Sequence, residues 1–482
     1  MKITPMLQVP ALVGVLILAA IAAVAQDGGG FRAGTAAVDI SPTVFPIQLR
    51  SGPSRHVHDP LHVRAIAFER GQGRAVIAVV DALGIDRETC DQAKAVAAEK
   101  TGWTPSEMLV CATHTHSAPK GGDTTPGRTA YEEKRFNGIV QALTDAIHSL
   151  EAAKVGFASD QEPSEVYNRR WFLKPGTMEP NPLGELDQVR TNAPRPNLLT
   201  PAGPTDPEVC VVDVRTRRGK ALGLIANYAL HYVGGIPTVK EEDGKVVGMA
   251  SADYFGEFAR IMPYRVGGAN PPDNFVALMT NGASGDINNI DFYGRRPPRA
   301  PFEQIQLVAT KTADAAWRAV KKIERYDENP LVATRRREVT LKYRQTTPAE
   351  VERARKLLEL PRKQREQIHS KAAQYANATL VYSEPDRTED VIVQAIRLGD
   401  QAIVSMPFEV LVEIGLEIKA KSPFPHTFLV ELANGAYGYL PPPHQHELGG
   451  YETWIGTSRF ETDSSVVLTR NLLEMLDELK AL

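Results

Sequence analysis

The sequence predicts one large α/β domain in which mixed β-sheets are flanked by helices. Three observations lead there. Of the 482 residues, 43% are hydrophobic and 23% are charged, which is enough apolar matter for a sizeable core and too little net charge to keep the chain disordered. Apolar runs of strand length alternate with longer helical patterns along the whole chain. Neither a break in composition nor an internal repeat separates the halves, so a length that admits two or three average domains is read as one.

The elements follow in order. Met1-Lys2, an apolar stretch from Leu12 to Val24 and the small residues Ala23-Val24-Ala25 describe a secretory signal over residues 1–25. The mature chain is then periplasmic or secreted, with no membrane span left after cleavage. Phe31 to Ile40 reads as a strand, and Val63 to Arg70 with Arg74 to Val80 reads as a hairpin turning at Gly71-Gln72-Gly73. Helices over Arg87–Lys100 and Tyr131–Leu150 bracket a strand at Met108–Ala112, and a strand follows at Lys154–Ala158. The Pro, Asn and Gly-rich stretch from Lys174 to Pro207 is too long for a simple connection and is read as a loop covering a site.

The second half repeats the mixture. Val209–Arg215 and Ala221–Ala229 form a second candidate hairpin, followed by a helix from Asp253, a buried strand at Phe275–Met279 and a long helix over Phe302–Ile323. Leu331–Tyr343 is strand-like, Pro348–Tyr375 is charged and helical and is placed outside as a solvated pair, and strands at Val391–Leu398, Ala402–Ser405 and Thr427–Leu432 close the series. The 31–482 region is thereby read as one domain.

Charge argues against one class of partner. Lys+Arg number 55 against 58 Asp+Glu, a net charge of -3 with no long run of one sign, so a small-molecule substrate is expected and nucleic acid is not. Three cysteines allow at most one internal disulfide and have no zinc-site spacing, so they read as small buried residues. Oligomeric state is left open.

Four segments share a pattern in which a buried strand ends and polar residues follow at once. They are Cys111-Ala112-Thr113-His114-Thr115-His116-Ser117, Ala226-Asn227-Tyr228-Ala229-Leu230-His231, Asn281-Gly282-Ala283-Ser284-Gly285-Asp286-Ile287-Asn288, and Met406-Pro407-Phe408-Glu409 with the later Ala436-Tyr437-Gly438-Tyr439. If the first strand persists, His114 and His116 face one site. Two or three histidines with one carboxylate form a catalytic zinc shell that leaves a position for water. Spacing alone does not unite residues this far apart. Asp286 reads as a turn-former, and Arg55-His56-Val57-His58 as a loop. His444-Gln445-His446 is placed on a rim loop near the pocket.

Taken in order, with the opening Ala33-Gly34-Thr35-Ala36-Ala37-Val38-Asp39-Ile40-Ser41-Pro42, these segments resemble the blocks of the neutral/alkaline non-lysosomal ceramidase family. The resemblance runs from about Phe31 to Leu482 and implies that family's catalytic-domain fold. It implies zinc held by His114, His231, Glu409 and Tyr439, with His116 donating to the substrate carbonyl or oxyanion. It places the anion-binding arginine at Arg169, with Arg170 as the neighbouring possibility, and Tyr451 as a supporting hydroxyl. Two departures stand out. The family's nucleophilic serine is Asn288 here, and an amide cannot form an acyl-enzyme, so direct attack by metal-activated water is expected, with Asn288 donating to the oxyanion. The sequence also ends where the family continues into a C-terminal β-sandwich, and both departures weaken ceramide as the substrate. The expected activity is zinc-dependent hydrolysis of an amide (N-acyl) or related carbonyl bond. The alternatives are a zinc-dependent lyase or esterase on a polar, carbohydrate-like substrate, and a non-catalytic zinc-containing binding protein.

Overall fold

The computed structural model describes residues 29–120, 128–294 and 297–482. The predicted signal segment lies outside the described residues. Among those described, no helix is long and apolar enough to cross a membrane.

Eight strands form the main sheet: β1 (Arg32–Asp39), β2 (His62–Arg70), β3 (Gly73–Val80), β4 (Met108–Ala112), β5 (Glu151–Gln161), β6 (Glu208–Thr216), β7 (Ala221–Tyr228) and β8 (Val276–Asn281). Their spatial order is β8-β7-β6-β5-β1-β2-β3-β4. The interior pairs are antiparallel, while β8 runs parallel to β7 and β4 parallel to β3. A second sheet of β9 (Val332–Lys342), β10 (Thr388–Leu398), β11 (Gln401–Ser405) and β12 (His426–Val430) is antiparallel except for the parallel pair β11 and β12.

The alternation of side chains along each strand dictates the layers. On one face of the main sheet, Val63, Ala65, Ala67, Val76, Ala78 and Val110 pack under helices α1 (Arg87–Thr101) and α2 (Ala130–His148). Further along the same face, Val209, Val211, Leu224 and Met279 pack under α3 (Asp253–Gly267) and α4 (Glu303–Lys321). The alternate residues, Ile66, Phe68, Ile77, Leu109, Val212 and Ile225, meet Ile396, Ile403, Phe428 and Val430 of the second sheet. The outer face of that sheet is covered by α8 (Val412–Lys421) and α9 (Ser464–Lys480). The result is four layers, helix, sheet, sheet and helix, and the expected mixed sheets flanked by helices are present.

Local signals set the helix starts. Asp86 accepts a hydrogen bond from Thr89 N at 2.7 Å and caps α1, and Gly102 at φ 72° ends it. Thr129 and Glu132 cap α2 reciprocally.

Two expectations change. Residues 348–381 form three helices rather than a pair, α5 (Pro348–Glu359), α6 (Arg362–Ile368) and α7 (Ala372–Val381), with α5 and α6 largely exposed as expected. The turn between α6 and α7 carries Ile368, His369 and Lys371 into the wall of the main cavity. A pattern of charged residues marks exposure to water, and a polar cavity wall satisfies it as well as an outer surface does. The long 174–207 stretch does cover that cavity, through residues around Met178–Asn181 and Val189–Asn192, but it also contains a short strand, Val189–Thr191, paired with Arg170–Leu173.

Candidate metal centre

The parallel strand pairs place the site. Polar segments leave the carboxyl ends of β4, β7 and β8 in the main sheet and of β11 and β12 in the second, and these ends are laced together. Ala112 N donates to Leu432 O at 3.2 Å, Glu431 N to Asn281 O at 3.1 Å, and Leu432 N to Phe408 O at 3.1 Å. Loops at carboxyl ends are where open α/β sheets bind ligands. Here two sheets contribute to one such site, and His114, His116, Arg169, His231, Asn288, Glu409, Tyr439 and Tyr451 line a single cavity of about 1260 Å³.

His114 and His116 do face one site, although not for the reason their spacing suggested. The strand stops at Ala112, and His114 adopts φ 68°, a left-handed conformation that needs support from its surroundings. Asp253, at the start of α3, provides it. Its Oδ2 accepts from Thr115 Oγ1 at 2.7 Å and from His116 N at 3.2 Å, and its Oδ1 accepts from Ser117 Oγ at 2.9 Å. The Thr115 and Ser117 hydroxyls of the Thr-His-Thr-His-Ser segment thus bind Asp253 while its imidazoles turn the other way. Burial pushes the Asp253 carboxyl up to about 7, against hydrogen bonds from Thr115 and Ser117. Asp253 was missed by sequence reasoning, since one aspartate at a helix start has no distinguishing signal.

The three imidazoles converge. His114 Nε2 lies 3.2 Å from His116 Nε2, which lies 2.9 Å from His231 Nε2, and the three residues form a group able to hold a metal ion. His114 Nδ1 is 2.7 Å from the Leu83 carbonyl; it carries the proton there, and Nε2 keeps its lone pair. His116 Nδ1 is 3.3 Å from Arg50 NH1, an obligate donor, so the proton of a neutral His116 sits on Nε2. Burial, then His114, Arg50 and Arg169, hold His116 neutral down to about 2. His231 is lowered well below its ordinary value, by burial first and Arg169 next.

Glu409 and Tyr439 are neighbours in a short parallel pairing. Glu409 Oε2 is 3.3 Å from His114 Nε2 and 3.8 Å from His231 Nδ1, yet it is buried without a hydrogen bond. An orphaned buried carboxylate oxygen beside convergent imidazoles is a donor set for a cation, and its mixture of nitrogen and oxygen suits zinc. Burial raises the Glu409 carboxyl, and the His114 charge, helped by Tyr439 and Arg169, outweighs that to leave it lowered.

Arg169 is spent largely within the protein. Nε donates to Glu452 Oε1 at 2.9 Å, NH2 to Gly285 O at 2.6 Å and to the Tyr439 hydroxyl at 2.9 Å, and NH1 lies 3.3 Å from His231 Nδ1. Arg170 has no exposure and shares Glu452, through NH1 to Oε2 at 2.8 Å. Asn288 sits in the cavity wall with Nδ2 3.5 Å from Asn192 Oδ1, a contact too long to use that donor fully. Tyr451 lines the cavity and meets Tyr439 edge-on at 5.5 Å.

Asp286 is not a local turn-former. Its carboxylate reaches across the fold, accepting from Val412 N, which starts α8, and from Asn168 Nδ2, both at 2.8 Å. Burial raises it to about 6. His444 misses the main cavity, pairing with Glu413 of α8 at 3.0 Å, because the short helix Pro443–Leu448 turns it outward. Arg50 was missed: a lone arginine after a three-residue strand gives no signal in the sequence.

The glycines of Asn-Gly-x-x-Gly-Asp have a steric cause. A Cβ on Gly285 would lie 2.7 Å from Glu409 O, so the two segments touch backbone to backbone. Gly285→Ala is expected to push Glu409 aside, costing about 1–3 kcal/mol of stability together with metal affinity; calorimetric melting with and without chelator measures both.

No known protein-family profile matches this sequence, and no curated protein sequence matches it significantly. Solved structures do. The neutral ceramidase from Pseudomonas aeruginosa is similar at TM-score 0.68 and 16% sequence identity, over 94% of this chain and 75% of that one. A ceramidase complexed with C2 is similar at TM-score 0.67 and 16% identity, over the same shares. With its mixed sheets, flanking helices and histidine cluster at the joined carboxyl ends, this chain has the fold of the neutral ceramidase structures over nearly its whole described length.

Proposed function

We propose that the protein is an exported, zinc-dependent hydrolase that cleaves an amide (N-acyl) or related carbonyl bond of a small molecule. The observation that carries this reading is the meeting of three imidazoles with the orphaned Glu409 oxygen on the wall of one large cavity. His114, His231, Glu409 and Tyr439 would hold the ion. What zinc supplies when bound is Lewis acidity and the activation of water at neutral pH.

The remaining groups act on the substrate. His116, its Nδ1 accepting from Arg50, presents Nε2–H to the carbonyl oxygen of a bound amide and to the negative charge that develops there. Asn288, with a nearly free Nδ2, offers a second donor to the same oxygen. Arg169 positions the Tyr439 hydroxyl and the His231 ring. Tyr451 walls the cavity beside Tyr439.

Charged side chains around the cavity, among them Arg50, Lys120 and Lys371, favour a polar substrate over a two-chain lipid, and they keep open a lyase or esterase acting on a carbohydrate-like molecule. Metal-reconstituted protein assayed on N-acyl lipids, N-acyl amino acids and acidic oligosaccharides is the test. Release of free amine from an N-acyl compound, lost in chelator and restored by zinc, is the expected result. An unsaturated sugar product would replace hydrolase with lyase, and tight zinc binding without turnover of any compound would leave only ligand binding.

A further inference from the structure

Arg135 lies on the first turns of α2, with only 2% of its surface exposed, and lines the cavity of the histidine cluster. Its Nε is buried without a hydrogen bond, and its guanidinium has no ion-pair or hydrogen-bond partner among the described residues. Neither Asp86 nor Asp81 makes a hydrogen bond or ion pair with Arg135: Asp86 caps α1 through Thr89, and Asp81 takes Arg64 NH1 and His62 N, both at 2.8 Å, on Oδ2, while its Oδ1 is buried without a hydrogen bond. One helical turn before Arg135, the Tyr131 hydroxyl is also buried and unpartnered. A guanidinium cannot shed its proton to escape burial, and a buried unpaired charge is among the most destabilising features a fold can carry. Two further cations, Arg50 and Lys120, line the same cavity.

We propose that Arg135 is the centre of an anion subsite, so that the substrate cleaved in this cavity carries a carboxylate, sulfate or phosphate group that completes the guanidinium's hydrogen bonds. A fork of parallel N–H donors suits such oxyanions. This rests on the hydrolase reading for the word substrate, while the subsite itself does not.

The experiment uses zinc-loaded full chain, wild type and Arg135→Gln, Arg135→Lys and Arg135→Met. Sodium sulfate and N-acetylglycine are titrated against sodium chloride at matched ionic strength, with melting temperature as the readout. Both anions are expected to raise the wild-type melting temperature beyond chloride, R135K to keep part of that shift and R135Q to lose it. Anion binding at zinc itself does not need Arg135, so R135Q separates the two. Without added anion, R135M is expected to melt no lower than wild type, since it removes an unpaired charge and keeps an apolar stem. In parallel, kcat/KM for N-acetyl amino acids is expected to exceed that for their uncharged amides by roughly tenfold, with R135Q bringing the ratio towards one through KM. An unchanged anion shift in R135Q, equal loss in R135K and R135Q, or a markedly lower melting temperature for R135M overturns the subsite. Anion shifts that depend on Arg135 with no turnover of either substrate support the subsite and remove the hydrolase reading instead.

Discussion

Glu409→Gln is expected to lower hydrolysis by about 10²- to 10³-fold or more, the scale set by removing one strong electrostatic contribution to a transition state. Its signature is a gap in stability that zinc widens. Glu409 Oε2 is buried without a hydrogen bond and stands 3.3 Å from His114 Nε2. Without metal the carboxylate faces the His114 imidazole, whose charge helps hold the carboxyl below its ordinary value, so E409Q loses some stability even without zinc. As a proposed zinc ligand, the same oxygen is replaced poorly by an amide. Zinc should therefore raise the wild-type melting temperature, leave E409Q nearly unmoved and widen the gap between them. Scanning calorimetry of both proteins, with zinc and with chelator, checks the widening. Equal zinc-induced shifts in the two proteins would remove Glu409 from the ligand set.

Glu452→Gln should have the largest effect on folding outside the metal. Glu452 has no exposure and binds two guanidinium groups, Arg169 Nε at 2.9 Å and Arg170 NH1 at 2.8 Å, as well as the Thr191 hydroxyl at 2.6 Å. An amide keeps the shape and removes the charge, which strands two buried cations. Breaking such a buried network costs about 3–5 kcal/mol, and with an unfolding entropy of about 2 cal/mol/K per residue a chain of this size loses roughly 3–5 °C of melting temperature. Activity falls as well, because Arg169 also holds Tyr439 and His231. The pH dependence has a definite sign. Burial raises the Glu452 carboxyl, Arg169 and Arg170 outweigh it, and the group ends below its ordinary value. Its contribution is thus complete at neutral pH and is lost as pH falls through that lowered value. Denaturant melts of both proteins at neutral and acid pH should converge in acid; a constant gap would show that charge is not the cause.

How far the sequence could be read depended on the range of the interaction. β2 and β3 were legible because Gly71-Gln72-Gly73 fixes a hairpin locally, and α1 because Asp86 and Gly102 cap it. The polar segments after β4, β7, β8 and β11 were legible as a class, since an apolar run ending in His, Asn or Glu is visible residue by residue. Their meeting was not, because nothing local ties His114 to Glu409; the family resemblance supplied that. Asp253, Arg50, Glu452 and Arg135 matter through what lies opposite them across the fold, and a single chain does not show its own opposites. That the exposed turn at His369 also lines the cavity was not legible for the same reason: charge patterning reports contact with water, not which water.

The lacing of the two sheets at their carboxyl ends also sets an order of assembly. His114 and His231 follow strands of the main sheet, while Glu409 and Tyr439 follow β11 and β12 of the second and pair with each other beyond them, and the backbone bonds that bring the two sets together form only when the sheets dock. During synthesis the histidines precede Glu409 by more than half of the remaining chain, so no high-affinity set of ligands exists until the C-terminal strands are in place. Under the proposed zinc reading, capture would be a late event that rewards the finished tertiary structure, its contribution lying in slower unfolding rather than in guidance of the early chain.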